Sequence, residues 1–398
     1  MTRPAASAAG AAADDLLIFL IAGEPSGDAL GGRLMAALKR CTGGRVHFAG
    51  VGGEAMAAAG LVSRFPMTEL SLMGLLEVVP HLPRLRRRVV ETAAAIRAAR
   101  PAAVVTIDAP AFNFRVCARL RGSGIPLIHY VAPSVWAWRP GRARHVAGIL
   151  DHLLALLPFE PRYFEVHGLP CTHVGHPVLE TVGAGHDGPR FRRDHGLPND
   201  APVLCVLPGS RRGEVARLAP VFGRAVRLLA LRYPALRAVV PTVPAVADRV
   251  DAAAAAWGVP TLVLRDPERK FDAFAAADAA LAASGTVVLE LAALGVPMVA
   301  AYRANPLTAL LLRPLLKVRY ATLVNLLLDR SVVPEYLQGG CTPGRLAAAL
   351  ERLLADDGAR RAQRAGFAEA LARLAVDGRP SERAAAVVLD LVRRRAGP

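Results

Sequence analysis

The chain has 398 residues, more than a single hydrophobic core usually organises, so two domains are expected, each large enough to bury a full sheet. Hydrophobic residues make up 53% and no long polar tract occurs, which excludes a largely disordered chain. The formal net charge of +16 asks for a partner that attracts cations, such as nucleic acid, an acidic membrane surface or a phosphorylated substrate.

Aromatic residues are only 5% of the chain and no recognition module is visible, which argues against nucleic acid. Nearly all the positive charge is arginine, with lysine only at 39, 270 and 317. A heavy alanine and arginine load also follows genomic base composition, so charge alone decides little. Cys41, Cys117, Cys171, Cys205 and Cys341 are far apart, odd in number and free of Cys-x-x-Cys spacing. They predict a reduced cytosolic protein without structural zinc. Residues 1–13 are small and nearly uncharged, and Asp14-Asp15 sits where a signal peptide needs positive charge, so this segment reads as a frayed tail. No stretch long enough to span a bilayer lacks a charge or proline.

In chain order, apolar β-rich runs alternate with helical stretches, the pattern of parallel α/β layers. Strands are expected at 16–22, 46–50, 103–107, 127–131, 153–156 and 171–174, and in a second series at 203–207, 238–240, 261–264, 279–283 and 297–301. The polar, glycine-rich segment 182–200 between the series has the composition of an interdomain linker. The fold predicted is α/β: two Rossmann-like doubly wound domains facing across a cleft, with ligands at the carboxyl ends of the strands. The first covers 1–182 and the second 183–364, and helices from about 365 to 398 pack back on the first.

The first strand runs into Ala-Gly-Glu-Pro-Ser-Gly-Asp and then a helical pattern. Strand, glycine turn and helix bring amide N–H groups to an anionic or polyhydroxylated ligand, and Glu24, Ser26 and Asp28 add side chains to the rim. An ordinary strand-to-helix turn reads the same way. Residues 65–90 form an apolar insert followed by Arg84, Arg86, Arg87 and Arg88, with Leu72, Met73, Leu75 and Leu76 as its apolar face. That composition suits an interfacial membrane anchor, and equally an amphipathic helix covering the sheet. Residues 307–328 interrupt leucines with basic residues, which fits a homodimer interface or core helices.

The third strand delivers Asp108 to its carboxyl end, with Pro110 terminating it and Asn113 close behind. A carboxylate there suits a general base, and also a helix N-cap. Trp136 and Trp138, beside Pro133 and Arg139, suit stacking on sugar or acyl chains, or a place in the core. His176 follows the sixth strand as a phosphate-binding, titrating or purely structural histidine.

The second domain opens with Leu207-Pro208-Gly209-Ser210-Arg211-Arg212, a turn that places amides and a guanidinium over a diphosphate. Later Ser284, Gly285 and Thr286 open another helix, with Glu290 one turn in, which suits phosphate beside a ribose diol. Two phosphate-type turns in one domain reinforce each other. No Asp-x-Asp, metal-ligand histidine spacing or Walker A lysine loop occurs. A nucleotide-sugar diphosphate would therefore be neutralised by arginine and helix ends without a required metal or cofactor.

Taken together, AGEPSGD (22–28), GVGGEAM (50–56), MGLLEVVPHLP (73–83), IDAPAFN (107–113), HYVAPSVWAWR (129–139), LPFE (157–160), VGHP (174–177), LPGSRRGE (207–214), SGTVVLE (284–290), NLLL (325–328) and PEYLQ (334–338) closely resemble the lipid-A-disaccharide synthase family. The resemblance spans nearly the whole chain and keeps the motif order. It implies a GT-B glycosyltransferase that joins UDP-2,3-diacylglucosamine to 2,3-diacylglucosamine 1-phosphate (lipid X), with inversion and release of UDP. It further implies a peripheral enzyme on the cytoplasmic face of the inner membrane, an Asp108 base, and Arg211, Gly209, Ser210, Ser284, Gly285, Thr286 and Glu290 around UDP. Asn325 and Gln338 join the donor site by motif match. One departure stands at Ala111, where the resemblance leads one to expect an aspartate; if that second carboxylate matters to catalysis, Asp108 must act without it. Rival readings are another UDP-sugar enzyme of this architecture, such as a UDP-N-acetylglucosamine 2-epimerase or a muramyl-type transferase, and more remotely a basic nucleic-acid-binding protein.

Overall fold

The structure, a computed structural model, describes residues 15–70, 82–138, 141–183, 185–305 and 318–396. The chain divides into two compact units, one from the described residues of Met1–Val135, Pro140–Pro177 and Val376–Pro398, the other from those of Trp136–Arg139 and Val178–Ala375. The apolar candidates Leu72, Met73, Leu75 and Leu76, the side chain of Trp138 and residues 307–317 of the 307–328 stretch lie outside the described residues.

In unit 1 six parallel strands, β1 (Leu16–Ala22), β2 (Val46–Val51), β3 (Ala103–Ile107), β4 (Leu127–Tyr130), β5 (His152–Ala155) and β6 (Cys171–His173), lie in the order β2-β1-β3-β4-β5-β6. β1 and β3 are near-continuous apolar runs because both faces of a parallel sheet are covered. Strand order reverses between β1 and β3, so their carboxyl ends border the crevice where ligands of such sheets bind. The Pro25–Thr42 helix covers one face, and the Pro380–Ala396 helix packs on it through buried Ala384, Ala385 and Val388, with Arg40 reaching Glu382 at 3.2 Å.

Unit 2 repeats the plan with β7 (Val203–Leu207), β8 (Arg237–Pro241), β9 (Thr261–Leu264), β10 (Ala279–Ala283), β11 (Met298–Tyr302) and β12 (Glu335–Leu337). The order is β12-β11-β10-β7-β8-β9, all parallel, and it reverses between β7 and β10. Two sequence expectations change here. The presumed linker 182–200 carries the Gly188–Asp194 helix, capped by the Asp187 carboxylate on the Arg190 N–H at 2.8 Å and pinned by fully buried Phe191. The return to unit 1 begins at Val376 and not near 365. The Asp357–Leu374 helix stays in unit 2, where the Gln363 amide bonds both the Met298 N–H (2.8 Å) and its carbonyl (2.9 Å), and Phe367 is buried.

Buried polar groups fix the loops of unit 1. Asp28 does not reach the ligand rim expected for it. Its side chain is 6% exposed, and its carboxylate accepts from the backbone N–H groups of Gly53 (2.7 Å), Ala55 (2.9 Å) and Met56 (3.1 Å), capping the Glu54–Ala58 helix from a neighbouring element. His129 on β4 is fully buried with Nδ1 2.8 Å from the Thr106 hydroxyl, and burial pushes its pKa down to about 3. His176 is also buried, and burial with His173 nearby pushes it down to about 4, so it is neutral at pH 7 and offers no cation to a phosphate.

Two consequences are measurable. Asp28→Ala strands three backbone donors and lowers unfolding free energy by about 2 kcal/mol. A urea-midpoint shift worth less than about 0.5 kcal/mol contradicts the capping role. For His176 the folded pKa lies below the unfolded one, so the unfolded chain takes up the proton first and stability falls as pH drops from 6.5 toward about 4. His176→Gln should flatten that part of the pH–stability curve, and an unchanged slope rules the assignment out.

Candidate active site

The turns after β1 and β3 meet at the reversal in unit 1. Gly23 is required there, since a Cβ on it would stand 2.6 Å from the Ala109 Cβ. Asp108 and Ala109 take φ values of +48° and +42°, and Val131 beyond β4 takes +82°, conformations that side chains rarely adopt. Val131 for this reason stops β4 at Tyr130, one residue earlier than expected. The strained turn is held by the Asp108 N–H on the Tyr130 carbonyl (2.9 Å) and by Asn113. Asn113 is fully buried, and its amide donates to the carbonyls of Ile107 (3.2 Å) and Asp108 (2.7 Å). It braces the turn from the interior and is not at the exposed rim expected for it. The Asp108 side chain is partly exposed at the carboxyl end of β3, Glu24 is partly exposed and Ser26 exposed at the end of β1. Ala111 is exposed on the helix that follows Asp108, and Trp136 is partly exposed in the Val135–Trp138 turn.

The basic flank is less free than its sequence implies. Arg84 and Arg88 bracket Glu69 at 2.7 and 2.8 Å, and Arg87 and Arg88 reach Glu91 at 2.6 and 2.9 Å. The Arg88 guanidinium, with Arg84 beside it, holds the Glu69 carboxyl down to about 2. Arg88 also lies over the Phe65 ring at 4.5 Å, so it is part of the packing. Arg86 is exposed and makes no ion pair among the described residues.

In unit 2 the two predicted phosphate turns converge. Gly209, Ser210, Arg211, Ser284, Gly285, Thr286 and Glu290 all line one cavity of ≈ 350 Å³ at the carboxyl ends of β7 and β10. Gly209 has φ +116°, and a Cβ on it would lie 2.7 Å from Glu214. That leaves the backbone open toward the cavity ahead of the 19-residue Arg212–Ala230 helix. Arg211 is mostly exposed and pairs with Glu214 at 3.4 Å. The Ser284 hydroxyl donates to the Ala321 carbonyl at 3.0 Å.

Asn325 and Gln338 do not line this cavity. Asn325 is fully buried and all its side-chain capacity is used: Nδ2 donates to the Val333 carbonyl and Glu335 (both 2.8 Å), while Oδ1 accepts from the N–H groups of Val332 (2.8 Å) and Val333 (2.9 Å). Glu335 in turn accepts from the Ala321 and Thr322 N–H groups at 2.8 Å, so Asn325 shapes the loop that meets Ser284. Gln338 is exposed in the turn beyond β12. The sequence reading missed Lys270 and Asp266, which also line the cavity. Lys270 Nζ lies 2.5 Å from Glu290 Oε2. Its signal was its rarity in an arginine-rich chain.

The site can thus bind an anion between two glycine turns and an arginine, with a carboxylate and an ammonium beyond them. The family model described as lipid-A-disaccharide synthetase matches residues 18–386. The lipid-A-disaccharide synthase of Rhodospirillum centenum is 58% identical over 96% of this chain and 96% of its own length. That of Paramagnetospirillum magneticum is 53% identical over 95% and 98%. Among solved structures, a co-structure of S. aureus MnaA with UDP aligns with a TM-score of 0.64 at 13% identity, covering 96% of this chain and 97% of that one. Acinetobacter baumannii MurG aligns at 0.55 and 14% identity over 94% and 99%. These two likenesses concern the fold, which is that of GT-B enzymes. The family match across nearly the full length, together with relatives above half identity, places this chain in the lipid-A-disaccharide synthase family of glycosyltransferases.

Proposed function

We propose that the chain condenses UDP-2,3-diacylglucosamine with 2,3-diacylglucosamine 1-phosphate, releasing UDP, and that the cavity between β7 and β10 holds the UDP. The carrying observation is that seven residues from two distant motifs line this one cavity at the strand-order reversal, in a chain of the lipid-A-disaccharide synthase family. A remote protein of the same fold, S. aureus MnaA, has a co-structure with UDP, which supports a nucleotide of that kind. In this reading the Gly209–Ser210 amides, Arg211 and the Ser284–Thr286 turn stabilise the charge that develops on the departing diphosphate, and Glu290 takes the ribose.

An inverting displacement also needs a base for the acceptor hydroxyl. Asp108 is assigned that role, since its strained turn is locked by Asn113 and Tyr130 and presents the carboxylate at a strand end. Glu24 and Ser26, on the adjoining turn, are assigned to the acceptor sugar, with Trp136 as a stacking group. The acylated substrates place the reaction at a membrane surface. Among the described residues no helix is long and apolar enough to cross a bilayer, and the reading is of peripheral docking on the cytoplasmic face of the inner membrane. Exposed Arg86 is the flank residue free to meet anionic lipid.

The decisive assay incubates the purified chain with UDP-2,3-diacylglucosamine with and without the acyl-sugar phosphate. Disaccharide and UDP should form only when both are present. UDP release, or an epimerised sugar, without acceptor contradicts the proposal. Arg211→Ala should lose roughly 10²-fold in kcat/KM. Asp108→Ala should lose roughly 10²- to 10⁴-fold in kcat with UDP affinity unchanged, and near-normal turnover excludes it as base. Arg86→Ala should weaken binding to phosphatidylglycerol vesicles about fivefold, and unchanged cosedimentation removes the flank from membrane docking.

A further inference from the structure

The cation nearest Glu290 was not foreseen from the sequence. Of 49 basic residues only three are lysines, so a lysine at the ligand cavity stands against the composition. Lys270 begins the Lys270–Ala275 helix just beyond β9, and its ammonium lies 2.5 Å from Glu290 Oε2. The same ammonium sits over the rings of Phe271 (5.2 Å) and fully buried Phe274 (5.5 Å). Ring faces below and a carboxylate in front give the charge one place to be.

The other charges that line the cavity, Arg211, Glu214 and Asp266, have partners of their own. Arg211 faces Glu214 at 3.4 Å, and the Asp266 carboxylate accepts from the Glu268 N–H at 2.9 Å. Glu290 is thus the carboxylate that Lys270 holds, through one oxygen only. Its Oε1 is left to turn toward a ligand, with its direction set by the grip on Oε2. An ammonium suits this task because it is a compact point donor; a guanidinium presents a planar fork that takes both carboxylate oxygens at once.

We propose that Lys270 is a positioning residue for the nucleotide: by fixing Glu290 through Oε2 it aims the other oxygen at a vicinal diol, and so makes the cavity selective for a ribonucleotide diphosphate over its 2′-deoxy form. This rests on the reading that the cavity holds UDP. Simple charge attraction and positioning make different demands. A lost charge weakens every nucleoside diphosphate alike, whereas a lost orientation erases the preference for the diol.

The test measures Kd for UDP and 2′-deoxy-UDP by calorimetry on the wild type, Lys270→Met and Glu290→Gln, with melting temperatures as a control for folding. The wild type should prefer UDP by about tenfold, the worth of one hydrogen bond to a charged group. Lys270→Met should bind both nucleotides more weakly, with the ratio falling near one. Glu290→Gln, which leaves Lys270 in place, should lose the ratio while retaining 2′-deoxy-UDP affinity. A wild-type ratio kept by Lys270→Met, or by Glu290→Gln where the lysine variant fails to fold, overturns the inference, as does a wild type that binds both nucleotides equally. Failure of the underlying reading looks different: the wild type binds neither nucleotide, or Arg211→Ala binds UDP as the wild type does.

Discussion

A parallel sheet whose strand order reverses cannot cover the carboxyl ends of the two strands at the reversal, because the connections that leave them go to opposite faces. Each unit has one such reversal, and the two candidate sites stand there. In unit 2 the strands are β7 and β10, and each runs directly into a short turn of small residues, Gly209-Ser210 and Ser284-Gly285. Small residues let backbone amides face the opening, and the φ of +116° at Gly209 is one that only glycine adopts without strain. The cavity is therefore a consequence of topology, and its selectivity is a matter of the few long side chains at its rim.

Unit 1 meets the same constraint with different means. Its reversal lies between β1 and β3, and the turn after β3 is made of Asp108 and Ala109 in left-handed conformations. Such a turn persists only where its surroundings over-determine it. Here a buried amide, a neighbouring strand carbonyl and the close approach of Gly23 do so. In the proposed reading of Asp108 as the base, a turn fixed before substrate arrives has chemical value. The stability comes from elsewhere, from strands buried on both faces and from polar braces such as Asp28.

The strands were legible because they are short apolar runs bounded by glycine and proline, and the two phosphate turns because strand, glycine and helix succeed one another in sequence. β12 was not legible: its three residues, Glu335–Leu337, carry no periodicity long enough to read. Asp28, Asn113 and Asn325 resembled ligand groups because a polar residue in a motif looks the same whether it faces a ligand or a backbone amide. Their partners are set by folding, with Asp28 reaching Gly53 and Asn325 reaching Val333. The pairing of Arg88 with Glu69 was hidden for the same reason, since the two lie 19 residues apart along the chain. Lys270 hid within the charged run Asp266-Pro267-Glu268-Arg269-Lys270, which reads as a solvated loop.

A crystal structure of the chain grown with UDP decides where the diphosphate sits. Phosphate density is expected against the Gly209–Arg211 turn and the Ser284–Thr286 turn, with the ribose hydroxyls on Glu290. UDP seated away from the β7 and β10 ends, with that cavity left to solvent, contradicts it.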